Sequence, residues 1–149
     1  VEPRTTIERY LALEPPAGAA VPRAALAALA TGCLARLAPR TRALCHHDLH
    51  HRNVLDAGTL VFVDWEYAGR GEPLLDLAAV AAYHDFDAPR RAALLAAYGD
   101  PAIEAARFSV AGTLFDCLQA LWYDAADAWH TLTPAARAAL VTRLLRAAR

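Results

Sequence analysis

Between His46 and Asn53 the chain places four histidines, an aspartate and an asparagine, in the stretch CHHDLHHRN. Asp48 lies five residues before Asn53, and Asp64, in FVDWEY, follows Asn53 by eleven. These types and spacings suit one kind of chemistry. An asparagine oxygen and a carboxylate brought together make a hard-oxygen pocket for Mg²⁺, which takes few protein ligands and keeps several waters. A carboxylate in the loop beside that metal is placed to accept a proton from a hydroxyl. Base, metal amide and metal carboxylate together form the arrangement of nucleotide-dependent phosphoryl transfer, where positioning and charge neutralisation supply most of the rate.

Other readings of the same residues exist. His46 and His50 are four apart, as are His47 and His51, but that spacing serves zinc only on a helix. A loop is expected here, and no cysteine or further histidine motif completes a tetrahedral set. His50 and His51 then read as loop-surface or supporting residues, and His84 and His130 as helix-end residues. Asp48, Asn53 and Asp64 taken singly could be turn formers, because Asp and Asn bond to their own backbone.

The elements that must position the triplet follow from the pattern around it. Asn53–Leu55 and Thr59–Val63 flank Asp56-Ala57-Gly58, a hairpin signal with β-branched and aromatic neighbours. A hairpin brings its outer ends together, so Asn53 and Asp64 meet there. Ala43-Leu44-Cys45 reads as a short buried strand leading into the loop. Upstream, a short helix is predicted over 5–13, broken by Glu14 to Gly18. A second is predicted over 22–37, with Leu26, Leu29, Cys33, Leu34 and Leu37 inward, closed by Pro39. After Gly69-Arg70-Gly71-Glu72-Pro73 the pattern is helical, with helices near 73–84, 88–98, 101–129 and 134–148 and prolines 89, 101 and 134 near their starts. The fold class is mainly α with a small β-hairpin (α+β). Residues 1–149 read as a single domain with a catalytic loop at 46–53, a metal strand at 60–66 and a helical remainder at 73–148.

Composition limits the partners. With 149 residues, 56% hydrophobic and 21% charged, the chain can bury a core. A net charge of −1 gives no reason to expect nucleic acid or an acidic membrane surface. No long apolar run or signal-peptide core is visible, so no membrane span and a cytoplasmic location are expected. Cys33, Cys45 and Cys117 are widely spaced and read as buried thiols of a reducing compartment. The chain holds no methionine and no lysine; all 15 basic residues are arginine. It is therefore expected to begin inside a longer gene product or to have been processed, and a mechanism that needs a lysine is incomplete within it.

The segments CHHDLHHRN, VFVDWEYAG and PLLDLA resemble those of the aminoglycoside phosphotransferase and choline–thiamine kinase branch of the protein kinase-like fold. The resemblance covers roughly residues 44–80. It implies that Asp48 is the catalytic base, that His46 orients the catalytic loop, and that Asn53 and Asp64 bind Mg²⁺ against the nucleotide. It also implies that Asp76 accepts backbone N–H bonds from the loop and holds its shape. The cofactors implied are Mg²⁺ and ATP or another nucleoside triphosphate. The acceptor implied is a small-molecule alcohol, closer to an amino alcohol, choline or thiamine than to an aminoglycoside. Such substrates are held by aromatic faces and carboxylates, which makes Glu66, Tyr67, Tyr83 and Trp122 the substrate-pocket candidates, with Trp65 packing behind the metal strand. Trp122 and Trp129, seven apart on one predicted helix, would share a face.

Kinases of this branch carry an N-terminal lobe with a phosphate-covering loop and a lysine. Here only helices precede the motif, so the chain is expected to be the C-terminal lobe with the N-terminal lobe absent. A lone lobe would expose the face that meets the other, which predicts self-association or pairing with a missing lobe. The competing expectation is a non-catalytic small-molecule or protein-binding domain that keeps the cleft.

Overall fold

A computed structural model describes residues 3–14, 19–37, 42–100 and 104–149. In chain order the elements are α1 (Pro3–Leu11), α2 (Arg23–Arg36), β1 (Ala43–Cys45), β2 (Val54–Asp56), β3 (Leu60–Phe62) and β4 (Gly69–Gly71). There follow α3 (Pro73–Tyr83), α4 (Ala88–Tyr98), α5 (Ala105–Ala125), a 3-10 turn (Trp129–Thr131) and α6 (Pro134–Ala147). They form two compact units, one of residues 39–112 with the first two residues, the other of 3–38 and 113–149. The expected breaks at 15–18 and Pro39, and the helix start at Pro101, lie outside the described residues.

The first unit holds all four strands. β2 and β3 pair antiparallel, Val54 with Phe62 and Asp56 with Leu60. The turn between them closes on Asp56, whose Oδ1 accepts the Gly58 N–H at 3.0 Å, while Gly58 takes φ +83°, which costs a glycine little. β1 pairs antiparallel with β4, Cys45 opposite Gly69 and Ala43 opposite Gly71. The expected metal strand at 60–66 is shorter than predicted: β3 ends at Phe62, and Asp64 turns the chain away at φ +63°.

Helix α3 begins where Pro73 supplies a ready-made first-turn φ and buries Leu74, Leu75, Ala78, Ala79 and Ala81. Its start is tied to that of α5 by Glu72 and Arg107, 2.6 Å apart. Helix α4 is capped by Asp87, which accepts the Arg90 N–H, and ends at Gly99 in the left-handed conformation.

In the second unit, α2 buries Leu26, Ala30 and Cys33, followed by Leu37, a 3.6-residue stripe. Leu29 and Leu34, expected inward, are only half-buried, and Ala30 takes the central place. The Arg23 guanidinium caps the end of α1 by donating to the carbonyls of Tyr10, Leu11 and Leu13. The later part of α5 buries Leu114, Cys117, Ala120 and Leu121, and α6 contributes Leu140 and Leu144. Asp116, buried, accepts two bonds from Arg143 at 2.7 and 2.8 Å and so fixes α6 on α5.

The long helix predicted over 101–129 is corrected here. It stops at Ala125, Asp127 takes φ +48°, and Trp129 sits in the separate 3-10 turn. Its indole N–H donates to the buried carboxylate of Asp124 at 2.7 Å, and its ring packs on Tyr123. Trp122 and Trp129 therefore do not share a helix face: Trp122 is 45% exposed and Trp129 only 8%. No helix among the described residues is long and apolar enough to cross a membrane. The three cysteines are buried free thiols; burial pushes Cys45 up to about 11 and Cys117 up to about 12.

Candidate active site

The site grows from the end of β1. As the chain leaves Cys45, the two carboxylate oxygens of Asp76, in the first turn of α3, accept consecutive backbone N–H groups: His46 at 2.6 Å and His47 at 2.8 Å. Charge-assisted bonds of this kind are about twice as strong as neutral ones. They fix the direction in which the loop departs. His47 then adopts φ +66°, sparsely populated for a residue with a Cβ and tolerated where surrounding contacts over-determine it.

One such contact is with β4. A Cβ built on Gly71 would lie 2.6 Å from His47 Cε1 and 2.9 Å from Nε2, so the imidazole occupies the space a side chain would take. Burial lowers the basicity of His47, with the carboxylate of Asp76 opposing. Gly71→Ala is expected to lower stability by about 1–3 kcal/mol, the usual cost of overpacking. The double variant with His47→Ala should regain part of that loss, read by thermal unfolding.

His46 is 2% exposed. Its Nε2 lies 2.8 Å from the Val63 carbonyl, and its ring packs 4.7 Å from that of Trp65. The loop is thereby joined to the residue just before Asp64. Trp65 does not pack deep behind the strand: it is half-exposed, with its indole N–H donating to Phe62 O.

The loop itself closes on Asn53, which is 5% exposed. Its Nδ2 donates to the Asp48 carbonyl at 2.9 Å and to Asp48 Oδ2 at 3.2 Å, while its own N–H donates to His50 O. Because both acceptors on Asp48 can only accept, the amide's orientation is settled. Its Oδ1 has no hydrogen-bond partner among the described residues. Asn53 O accepts the Val63 N–H at 3.0 Å, extending the β2–β3 ladder by one rung. Asn53 thus stands opposite Val63, and Asp64, exposed, is the next residue beyond.

The hairpin therefore places Asn53 and Asp64 at neighbouring positions, and the loop places Asp48 against Asn53. Two hard-oxygen side chains fit Mg²⁺, which completes its shell with water and phosphate oxygens. Among the described residues no three His, Cys, Asp or Glu side chains converge as a metal-holding group. The imidazoles instead go to separate neighbours: His46 to Val63, His47 to Gly71, His50 to Asp48.

Of the substrate-pocket candidates, Tyr83 meets His50 edge-on at 5.8 Å. Glu66 and Tyr67 lie exposed in the turn after Asp64, closed by the Ala68 N–H bonding to Trp65 O. Trp122 belongs to the second unit, where its ring meets Tyr123. Two placements go beyond the sequence reading: His50, read as loop-surface or supporting, is 3.6 Å from Asp48, and Gly71, given no role, lies against the His47 ring. A histidine two residues from an aspartate is a weak signal, and no pattern announced the glycine.

A family model described as the phosphotransferase enzyme family matches residues 2–109. The chain belongs to that family. Among solved structures this phosphotransferase-family chain is similar to the choline kinase LicA from Streptococcus pneumoniae. The TM-score is 0.72 at 25% identity, over 98% of this chain and 54% of that one. It is similar also to a choline/ethanolamine kinase family protein from Mesorhizobium loti, with TM-score 0.71 and 28% identity over 99% of this chain and 53% of that one. A structure of LicA in complex with AMP matches with TM-score 0.72 at 25% identity, over 98% and 53%. Comparison with curated protein sequences gave no match. The chain spans about half the length of these kinases and has the fold of a kinase-like C-terminal lobe.

Proposed function

We propose that the chain is the acceptor- and metal-binding half of a small-molecule kinase that moves the γ-phosphoryl of a nucleoside triphosphate to an alcohol. The observation that carries this is the Asp48 carboxylate held by the Asn53 amide, in a loop pinned by Asp76, within a phosphotransferase-family chain. The acceptor oxygen bonds to the γ-phosphorus, the bond to the bridging oxygen of the leaving diphosphate breaks, and the hydroxyl proton passes to Asp48. Asp48 aligns the hydroxyl for this, and alignment is worth much of the rate in phosphoryl transfer. Asn53 and Asp64 would hold Mg²⁺, which when bound neutralises charge on the phosphates.

An amino alcohol of the choline or ethanolamine type is the acceptor we favour over thiamine or an aminoglycoside, because the similar structures named above are a choline kinase and a choline/ethanolamine kinase family protein. Tyr83, beside His50, and Glu66 and Tyr67, exposed in the turn after Asp64, would face its cationic end. Apolar side chains exposed on β2 and β3, Leu55, Leu60, Val61 and Phe62, mark where we place the contact with the other half of the kinase.

Mn²⁺ in place of Mg²⁺ tests the metal assignment. In the full-length protein with ATP present, Mn²⁺ binding followed by electron paramagnetic resonance should weaken at least about tenfold in Asp64→Asn, since one charged ligand of a hard cation is lost. Unchanged binding in both Asp64→Asn and Asn53→Ala would contradict the assignment.

A further inference from the structure

We infer that His50 is a positioning residue that fixes which oxygen of Asp48 takes the proton; this rests on Asp48 being the proton acceptor. The ring of His50 is held on several sides. Its Nδ1 accepts the Arg52 N–H at 3.1 Å, so in the neutral ring the proton sits on Nε2. That Nε2 is the atom 3.6 Å from Asp48 Oδ2. Tyr83 meets the ring edge-on, with the planes at 88°. The backbone is fixed as well: the His50 N–H donates to Asp48 O at 2.9 Å, and His50 O accepts the Asn53 N–H at 3.0 Å.

Two N–H groups therefore face one oxygen of Asp48. Asn53 Nδ2 is 3.2 Å from Oδ2 and His50 Nε2 is 3.6 Å from the same atom. Oδ1 is left as the oxygen whose lone pairs are open to an incoming hydroxyl. At 3.6 Å the imidazole contact is electrostatic rather than a full hydrogen bond. The two side chains are 28% and 27% exposed, so its contribution to folding is small. Its effect lies in orientation: a carboxylate free to rotate about its Cβ–Cγ bond presents the accepting oxygen less often, and small misplacements at a reacting centre cost rate steeply.

The two nitrogens of the ring have different mimics, which separates this role from loop support. Glutamine reaches with its amide N–H to the position of Nε2, whereas asparagine reaches only to that of Nδ1. In the full-length protein, ADP release from MgATP is measured with whichever of choline, ethanolamine or water supports it fastest. His50→Ala and His50→Asn should lower kcat about 10- to 100-fold with KM for MgATP changed less than about twofold. His50→Gln should recover most of the rate. NMR of protein labelled with ¹⁵N-histidine should place the His50 proton on Nε2.

Wild-type kcat in His50→Ala, rescue by Asn but not by Gln, or a proton on Nδ1 would each overturn the inference. Asp48→Ala is run alongside. If it keeps full turnover, the reading of Asp48 fails and the role of His50 with it. If it is inactive while His50→Ala is not, only the role of His50 falls.

Discussion

Asp48→Asn in the full-length protein is expected to lower kcat for phosphoryl transfer by at least about 10³-fold while leaving the KM for MgATP within about twofold. Proton acceptance by a positioned side chain is worth about 10²–10⁴-fold, and in the proposed reaction Asp48 would also orient the attacking hydroxyl, a contribution that an amide keeps only in part. The fold should be indifferent. The carbonyl of Asp48, which accepts from Asn53 and His50, survives the substitution, and the amide's remaining oxygen can still accept from Asn53. Thermal unfolding within a few degrees of wild type would show that the loss is chemical. Retention of more than about a tenth of the wild-type kcat would remove Asp48 from the role of base.

Asp76→Ala should have the largest effect on the loop itself. Both oxygens of that carboxylate are used by the N–H groups of His46 and His47, at 2.6 and 2.8 Å, and His46 is almost wholly buried. Removing the acceptor leaves two donors without partners. Each charge-assisted bond is worth about 1.5–3 kcal/mol, so a loss of about 3 kcal/mol is expected. The left-handed turn at His47 is over-determined partly by these bonds, so activity should fall as well, by displacement of Asp48. Asp76→Asn, which keeps one acceptor oxygen, should lose about half as much stability. Urea unfolding of the three proteins gives the comparison; equal midpoints would show that the loop holds its shape without Asp76.

How much of this was legible beforehand differs from residue to residue. The spacing of Asp48, Asn53 and Asp64 around a hairpin signal was readable because turn chemistry and strand periodicity are local. Helix α4 was predicted with the bounds it has, 88–98, since an Asp cap, a proline and a terminal glycine all act within a turn of the chain. Strand β4 was not readable. Gly69-Arg70-Gly71 has no strand propensity, and it pairs with β1 where the imidazole of His47 needs a residue without a Cβ. That is a requirement set by a side chain more than twenty positions away.

The early end of α5 has the same character. Alanines and a tryptophan continue the helical pattern past Ala125, but Asp127 in the left-handed region and the bond from the Trp129 indole to Asp124 turn the chain. The φ values at His47 and Asp64 also left no trace, because neither position carries a glycine. The orientation of His50 was not readable for a related reason: in a loop, neighbours in sequence do not reveal which way a ring points. The Arg52 N–H, by donating to one ring nitrogen, turns the other to Asp48.

The central claim is that the loop around Asp48 serves transfer of a phosphoryl group to a small alcohol. It is tested most directly by ³¹P NMR of the full-length protein incubated with ATP, Mg²⁺ and, separately, choline, ethanolamine, thiamine and an aminoglycoside. A phosphomonoester resonance is expected with choline or ethanolamine, growing as ATP is converted to ADP and absent with Asp48→Asn. No phosphomonoester with any acceptor, or the same product at the same rate from Asp48→Asn, would contradict it.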